Sequence, residues 1–144
     1  MNTISIVVPA YNEENSIADI LMRVLTSDTM GLNKEIVVVN DNSTDQTASI
    51  LETLARENPA IRVYHQPRNM GKGAALRRGF AEASGEIILI QDADLEYDPD
   101  DYPTLLGPIL DGRADVVYGS RFTGTPQEML KDTLDIFFKG IEVC

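Results

Sequence analysis

Residues 4–8, 35–39 and 86–90 read Ile-Ser-Ile-Val-Val, Glu-Ile-Val-Val-Val and Glu-Ile-Ile-Leu-Ile, short apolar runs that do not alternate. A strand with one wet face must alternate, so runs of this kind belong to strands buried on both faces, as in a parallel sheet. Residues 61–64 and 114–118 add two further candidates. Between the runs, Ile17, Ile20, Leu21, Val24 and Leu25 recur at helical spacing, as do Ile50, Leu51 and Leu54. Further helices are expected over residues 74–83 and 99–110. Pro9 is expected to end the first strand and Asn58-Pro59 the second helix. Asn12 is expected to cap a helix opening with Glu13 and Glu14, while Ser43 and Gln46 have capping-box spacing. The alternation of fully apolar strands with helices predicts an α/β fold, Rossmann-like, with a mostly parallel sheet flanked by helices on both faces.

At 144 residues the chain is one domain, able to bury about 70% of its unfolded surface. Its body is expected over residues 1–122, with 123–144 as a short helical tail of the same domain. There Thr125 and Glu128 open a helix whose apolar face carries Leu130, Leu134, Phe137 and Phe138. The net charge of −11, from 12 basic and 23 acidic residues, argues against nucleic acid as a partner, since phosphate neutralisation needs clustered cations. Cys144 is the single cysteine, which excludes a disulfide framework and suits a reducing compartment. No apolar stretch approaches the ~20 residues that span a bilayer. The cytoplasm is the expected location, with peripheral contact at the cytoplasmic face of a membrane left open.

The chemistry gathers where strands end, which is where open α/β sheets bind ligands. After residues 86–90 comes Gln91-Asp92-Ala93-Asp94-Leu95-Glu96. If the backbone stays extended there, Asp92, Asp94 and Glu96 share one face. Three neighbouring carboxylates repel unless a cation sits among them, and a hard divalent ion completed by substrate phosphates fits. The plainer reading is helix-entry acidity, which accounts for Asp98, Asp100 and Asp101 but not for Asp92 and Asp94. After the first strand, Tyr11 and Glu13 can present a ring and a carboxylate to a nucleobase and ribose, or simply open a helix. After the second, Asp41 can accept hydrogen bonds from a base or ribose, or form an Asx turn. Arg68 and Lys72, flanking a Gly-rich helix entry, can meet a phosphate. Arg121 offers a donor fork suited to a diphosphate. His65 has no nucleophile partner in view and reads as an ordinary strand-end residue.

Together these segments resemble the family 2 inverting glycosyltransferases of glycosyltransferase A-type fold. The matching pieces are Val7-Val8-Pro9-Ala10-Tyr11-Asn12-Glu13-Glu14, Val39-Asn40-Asp41-Asn42-Ser43-Thr44-Asp45, Asn69-Met70-Gly71-Lys72-Gly73-Ala74-Ala75, Asp92-Ala93-Asp94-Leu95 and Gly119-Ser120-Arg121-Phe122. Within the family the chain looks most like the dolichyl- or polyprenyl-phosphate mannosyltransferases. The resemblance implies that Pro9, Tyr11, Glu13, Val39 and Asp41 hold the donor nucleoside, and Lys72, from its place at the Gly-rich helix entry, is expected to bind substrate beside them. It places Asp92, Ala93 and Asp94 at the diphosphate and at Mg²⁺ or Mn²⁺, Glu96 as a further metal ligand, and Arg121 against the donor phosphates. Asp92 and Asp94 would be the catalytic pair. Asn40 departs from the family, where a second acidic residue is frequent, and Glu96 stands where the nearest group often has Gln.

The function expected is sugar transfer from a nucleotide-diphospho-sugar such as GDP-mannose to a polyprenyl-phosphate or glycan acceptor. A lipid phosphate is already an anionic nucleophile and needs no general base, whereas a hydroxyl does. Two alternatives stand beside it. One is a truncated nucleotide-sugar-binding module without turnover, completed by a second copy or a partner chain. The other is a nicotinamide-dependent oxidoreductase, which needs Gly-x-Gly-x-x-Gly after the first strand, where this chain has Pro9-Ala10-Tyr11-Asn12-Glu13.

Overall fold

The computed structural model describes residues 3–93, 99–103 and 106. In chain order these form β1 (Thr3–Ala10), α1 (Ile17–Thr26), β2 (Asn33–Asn40), α2 (Thr47–Glu57), β3 (Ile61–His65), α3 (Lys72–Glu82) and β4 (Ile87–Ile90), then a 3₁₀ turn at Pro99–Asp101. The strands lie in the order β3-β2-β1-β4, and every neighbouring pair is parallel. The expected strand at 114–118, most of the helix over 99–110 and the tail at 123–144 lie outside the described residues. So do Asp94, Glu96, Asp98 and Arg121.

The non-alternating runs are explained by two cores, one on each side of the sheet. Ile4, Ile6 and Val8 of β1 face α1 and α2, packing with Ile17, Ile20, Leu21, Val24 and Leu51. Val7 of β1 faces the other way with Val37, Val39, Ile88 and Ile90, under Ala75 and Leu76 of α3. Tyr102 and Leu106 join the α1 side. At Gly79, α3 lies so close to the sheet that a Cβ would sit 2.4 Å from Val7 Cγ1. β3, at one side of the four-stranded order, is less apolar than expected: Arg62 and His65 are exposed, as an edge strand with one open side allows.

Pro9 does not end β1, which continues to Ala10 with Pro9 opposite Val39 and Ala10 opposite Asn40. What Pro9 ends is the pairing with β4. The last rung there is the Gln91 N–H donating to the Val7 carbonyl at 2.9 Å. The next rung of a parallel ladder would need an N–H at Pro9, which proline lacks. The chain after β4 is thereby released from the sheet while β1 and β2 stay joined.

At the opposite end a buried polar knot ties β1, β2 and the turn before β4. Glu35 Oε2 accepts from Ser5 Oγ (2.7 Å), Ser84 Oγ (2.7 Å) and the Ser84 N–H (2.9 Å). Ser5 Oγ in turn accepts the Gly85 N–H at 2.8 Å. Oε1 lies 2.8 Å from Arg62 Nη1 in an ion pair without hydrogen-bond alignment. Burial alone would raise the Glu35 carboxyl, but the Ser5 and Ser84 donors and the Arg62 guanidinium outweigh it and hold it below its ordinary value of 4.5. A carboxyl depressed on folding stabilises the fold above its unfolded value, and that stability is lost as the pH falls through the folded value. Glu35→Gln is therefore expected to lower the unfolding free energy by about 1–3 kcal/mol at neutral pH. The gap from wild type should shrink once the pH falls below 4.5. Urea titrations at neutral and strongly acidic pH measure both, and a gap that does not change with pH contradicts this account.

Candidate functional site

α1 and α2 cover one face of the sheet and α3 the other, and the strand order turns back between β1 and β4, where open α/β sheets bind ligands. A cavity of about 300 Å³ opens there. The end of β1 supplies Pro9, Ala10, Tyr11 and Glu13, and the end of β2 supplies Asp41. The entry to α3 adds Asn69, Gly71, Lys72 and Ala75, and the end of β4 adds Asp92 and Ala93. Four strand-end segments thus meet around one space.

The first two loops are stitched to each other. The Asn12 N–H donates to Ser43 Oγ (3.0 Å), and Asn12 Oδ1 accepts the Thr44 N–H (2.8 Å). The Glu13 N–H donates to Thr47 Oγ1 (2.9 Å), and the Gln46 N–H donates to Glu14 Oε2 (3.0 Å). These residues were expected to cap their own helices, and they do not. Asn12 sits at φ 51°, in the left-handed region asparagine tolerates, and α1 begins only at Ile17 after Ser16. α2 begins at Thr47, whose N–H donates to Asp45 Oδ1 at 2.9 Å, so Ser43 and Gln46 form no capping box. Each loop satisfies the other's backbone, and Tyr11 is left 42% exposed at the cavity.

Asp41 is 4% exposed and holds the third segment. Its Oδ1 accepts the Met70 N–H at 2.7 Å and its Oδ2 the Gly71 N–H at 2.9 Å. Gly71 takes a φ of +92°, which a side chain would strain, and α3 starts at Lys72, two residues earlier than the apolar pattern indicates. Asn40, beside Asp41, has its Oδ1 fixed by the Ser43 N–H (3.1 Å) and Ser43 Oγ (2.6 Å). Its amide nitrogen therefore donates to His65 Nδ1 (2.9 Å), and His65 Nε2 donates to Glu52 Oε1 (2.5 Å). His65 serves the scaffold, as an ordinary strand-end histidine would.

Lys72 reaches across the cavity, with Nζ 2.6 Å from Asp92 Oδ1. Ser16 Oγ donates to the Ala93 carbonyl at 2.7 Å and ties the end of β4 to the start of α1. Ala93 itself lies in a turn, and the expected alignment of Asp92 with Asp94 and Glu96 falls outside the described residues. Among the described residues no three acidic, histidine or cysteine side chains gather as a metal-ligand group. Asp92 itself suits a hard cation: it is a carboxylate that lines the cavity, and its side chain is a quarter exposed.

Of the residues expected at a site, Pro9, Tyr11, Glu13, Asp41, Lys72, Asp92 and Ala93 line one cavity. Val39 pairs with Pro9 and packs in the α3-side core instead of lining it. Asp94, Glu96 and Arg121 lie outside the described residues. Asn69 and Ala75 also line the cavity but were not singled out. Their signal was their place in the segment around Gly71-Lys72-Gly73, after a strand end.

A parallel sheet covered on both faces, with a cavity at its strand ends, places the chain among the Rossmann-like α/β proteins. The chain belongs to Glycosyl transferase family 2, which it matches over residues 5–136. It is 36% identical over 119 residues to a dolichol-phosphate mannosyltransferase of Pyrococcus furiosus, covering 83% of this chain and 33% of that one. It thus spans about a third of that relative's length. Its structure resembles a mannosyltransferase from Pyrobaculum calidifontis in complex with GDP-Man and Mn²⁺ (TM-score 0.60, 31% identity, 68% of this chain and 29% of that one). It also resembles a glucosyl-3-phosphoglycerate synthase from Mycobacterium tuberculosis in complex with Mn²⁺, UDP and glucosyl-3-phosphoglycerate (TM-score 0.62, 33% identity, 76% and 40%). The fold is that of the glycosyltransferase A-type, as the sequence pattern indicates.

The Asp41 clamp gives a direct test. Asp41→Ala leaves the Met70 and Gly71 amides without their acceptor and is expected to cost about 1–3 kcal/mol of stability. Amide exchange at Met70 and Gly71 should accelerate more than exchange in β1. Unchanged protection at those two amides contradicts the clamp.

Proposed function

We propose that the cavity holds the nucleoside diphosphate of a nucleotide-diphospho-sugar, with GDP-mannose the favoured donor and a polyprenyl phosphate the favoured acceptor. The observation that carries this reading is the meeting of Tyr11, Glu13, Asp41, Lys72 and Asp92 around one cavity at the topological switch point. Tyr11 offers a ring face to the base, Glu13 a carboxylate to the ribose hydroxyls, and Asp41 an acceptor edge to base N–H groups. Lys72 and Arg121 supply positive charge to the diphosphate. Asp92, with Asp94 and Glu96, would hold Mg²⁺ or Mn²⁺, which when bound neutralises charge on the departing nucleotide. The chain's own residues then fix the donor and keep its anomeric carbon in line with an acceptor oxygen. A phosphate acceptor arrives ionised, so no residue has to take a proton from it.

The support for mannose and for a lipid phosphate is the mannosyltransferase relatives, one of them named for dolichol phosphate. No helix among the described residues is long and apolar enough to cross a membrane. Peripheral placement at the cytoplasmic face is part of the proposal.

Thermal melts with GDP, UDP and NAD, each with and without Mn²⁺, test the donor site. Stabilisation by a nucleoside diphosphate that requires the metal and is lost in Asp92→Asn is the expected result. Stabilisation by NAD without metal, or by nothing, contradicts it. Transfer of labelled mannose to a polyprenyl phosphate by the purified chain separates turnover from binding alone.

A further inference from the structure

Lys72 and Asp92 reach each other from different elements. Asp92 follows β4, and its side chain is 25% exposed. Lys72 opens α3 and is 58% exposed, on a four-carbon stem with several rotatable bonds. The backbone beneath Lys72 is fixed, because Asp41 holds the Met70 and Gly71 amides immediately before it. The ammonium is therefore tethered at its root and carried on a stem that can rotate towards a new partner. It lies 2.6 Å from Asp92 Oδ1, where the site as read above would bring a divalent cation. Two cations cannot share that oxygen at contact distance without strong repulsion. The diphosphate of a donor would bring new oxygens within the same cavity, and these suit an ammonium as well as a carboxylate does.

We propose that Lys72 competes with the divalent cation for the Asp92 carboxylate and yields it when a donor phosphate oxygen is present to take the ammonium. The consequence is coupling. Metal binds Asp92 weakly on its own and strongly with nucleotide, and by linkage the nucleotide gains affinity from the metal by the same factor. This rests on the donor-site reading, and it adds a role for Lys72 that simple phosphate binding does not include. A lysine that only binds phosphate would leave the affinity for metal alone unchanged.

The test is Mn²⁺ binding, followed by the EPR signal of the free ion, to the full chain with and without GDP or UDP. Wild type is compared with Lys72→Met and, should that variant fold poorly, with Lys72→Gln; thermal melting reports the fold of each. Without nucleotide the variant should bind Mn²⁺ about fivefold more tightly, the scale of one released ion pair. The ratio of Mn²⁺ affinity with and without nucleotide should fall in the variant. Mn²⁺ affinity that is unchanged or weaker without nucleotide, in a protein that still binds nucleotide with Mn²⁺, overturns the competition and leaves the donor site standing. No Mn²⁺ uptake by wild type or variant, even with nucleotide, overturns both.

Discussion

β1 is hydrogen-bonded on both sides, to β2 along its whole length and to β4 over only part of it. That inequality governs the site. Pro9 withholds the donor that a further β1–β4 rung would use, so the two strands part at their carboxyl ends. The crossovers also change faces about this junction, with α1 and α2 on one side of the sheet and α3 on the other. A crevice between β1 and β4 is then a consequence of topology and one missing N–H, before any functional side chain is placed. The amino end is closed by the opposite device, with Glu35 drawing Ser5, Ser84 and Arg62 together.

The surplus of acid in this chain is handled locally at the site. Asp41, Asp45 and Glu14 each accept backbone N–H groups, at Met70 and Gly71, Thr47, and Gln46. Those donors belong to the main chain and cannot leave without unfolding a loop. Asp92 is treated differently, because its donor is a lysine side chain more than half exposed. Carboxylates held by amides are architecture, whereas one held by an ammonium can exchange partners. The distinction separates Asp41 from Asp92, although both are acids placed just beyond parallel strands.

The strands were legible because an apolar run without alternation has few other uses, and the structure places β2 and β4 over the runs that indicated them. β3 was legible only in position, since an edge strand can carry Arg62 and His65. Helix starts were misread for one physical reason. Asn12, Ser43 and Gln46 have the residue types of local caps, but Asn12 and Ser43 bond between the neighbouring β1 and β2 loops, about thirty positions apart, and the Gln46 N–H meets Glu14 across the same seam. Pro9 was misread for a related reason: its missing donor matters on one side of the strand only. The site was legible as a set of strand ends. The use of Asp41 as a clamp was not, because no local pattern reports which backbone amides a carboxylate will meet.

The cavity thus has two sides with different mechanics. Around Tyr11, Glu13 and Asp41 the groups stand on loops that brace each other, and their geometry is set before a ligand arrives. Around Lys72 and Asp92 the geometry is a balance of charges that an incoming ion or phosphate would shift. A rigid side suits recognition of a planar base and ribose, where misplacement by an ångström forfeits hydrogen bonds. A responsive side suits a diphosphate and its metal, whose charges must be met while bound and released with the product. At about 300 Å³ the cavity lies near the lower limit of small-molecule sites, a size at which a few well-placed polar groups do most of the selecting.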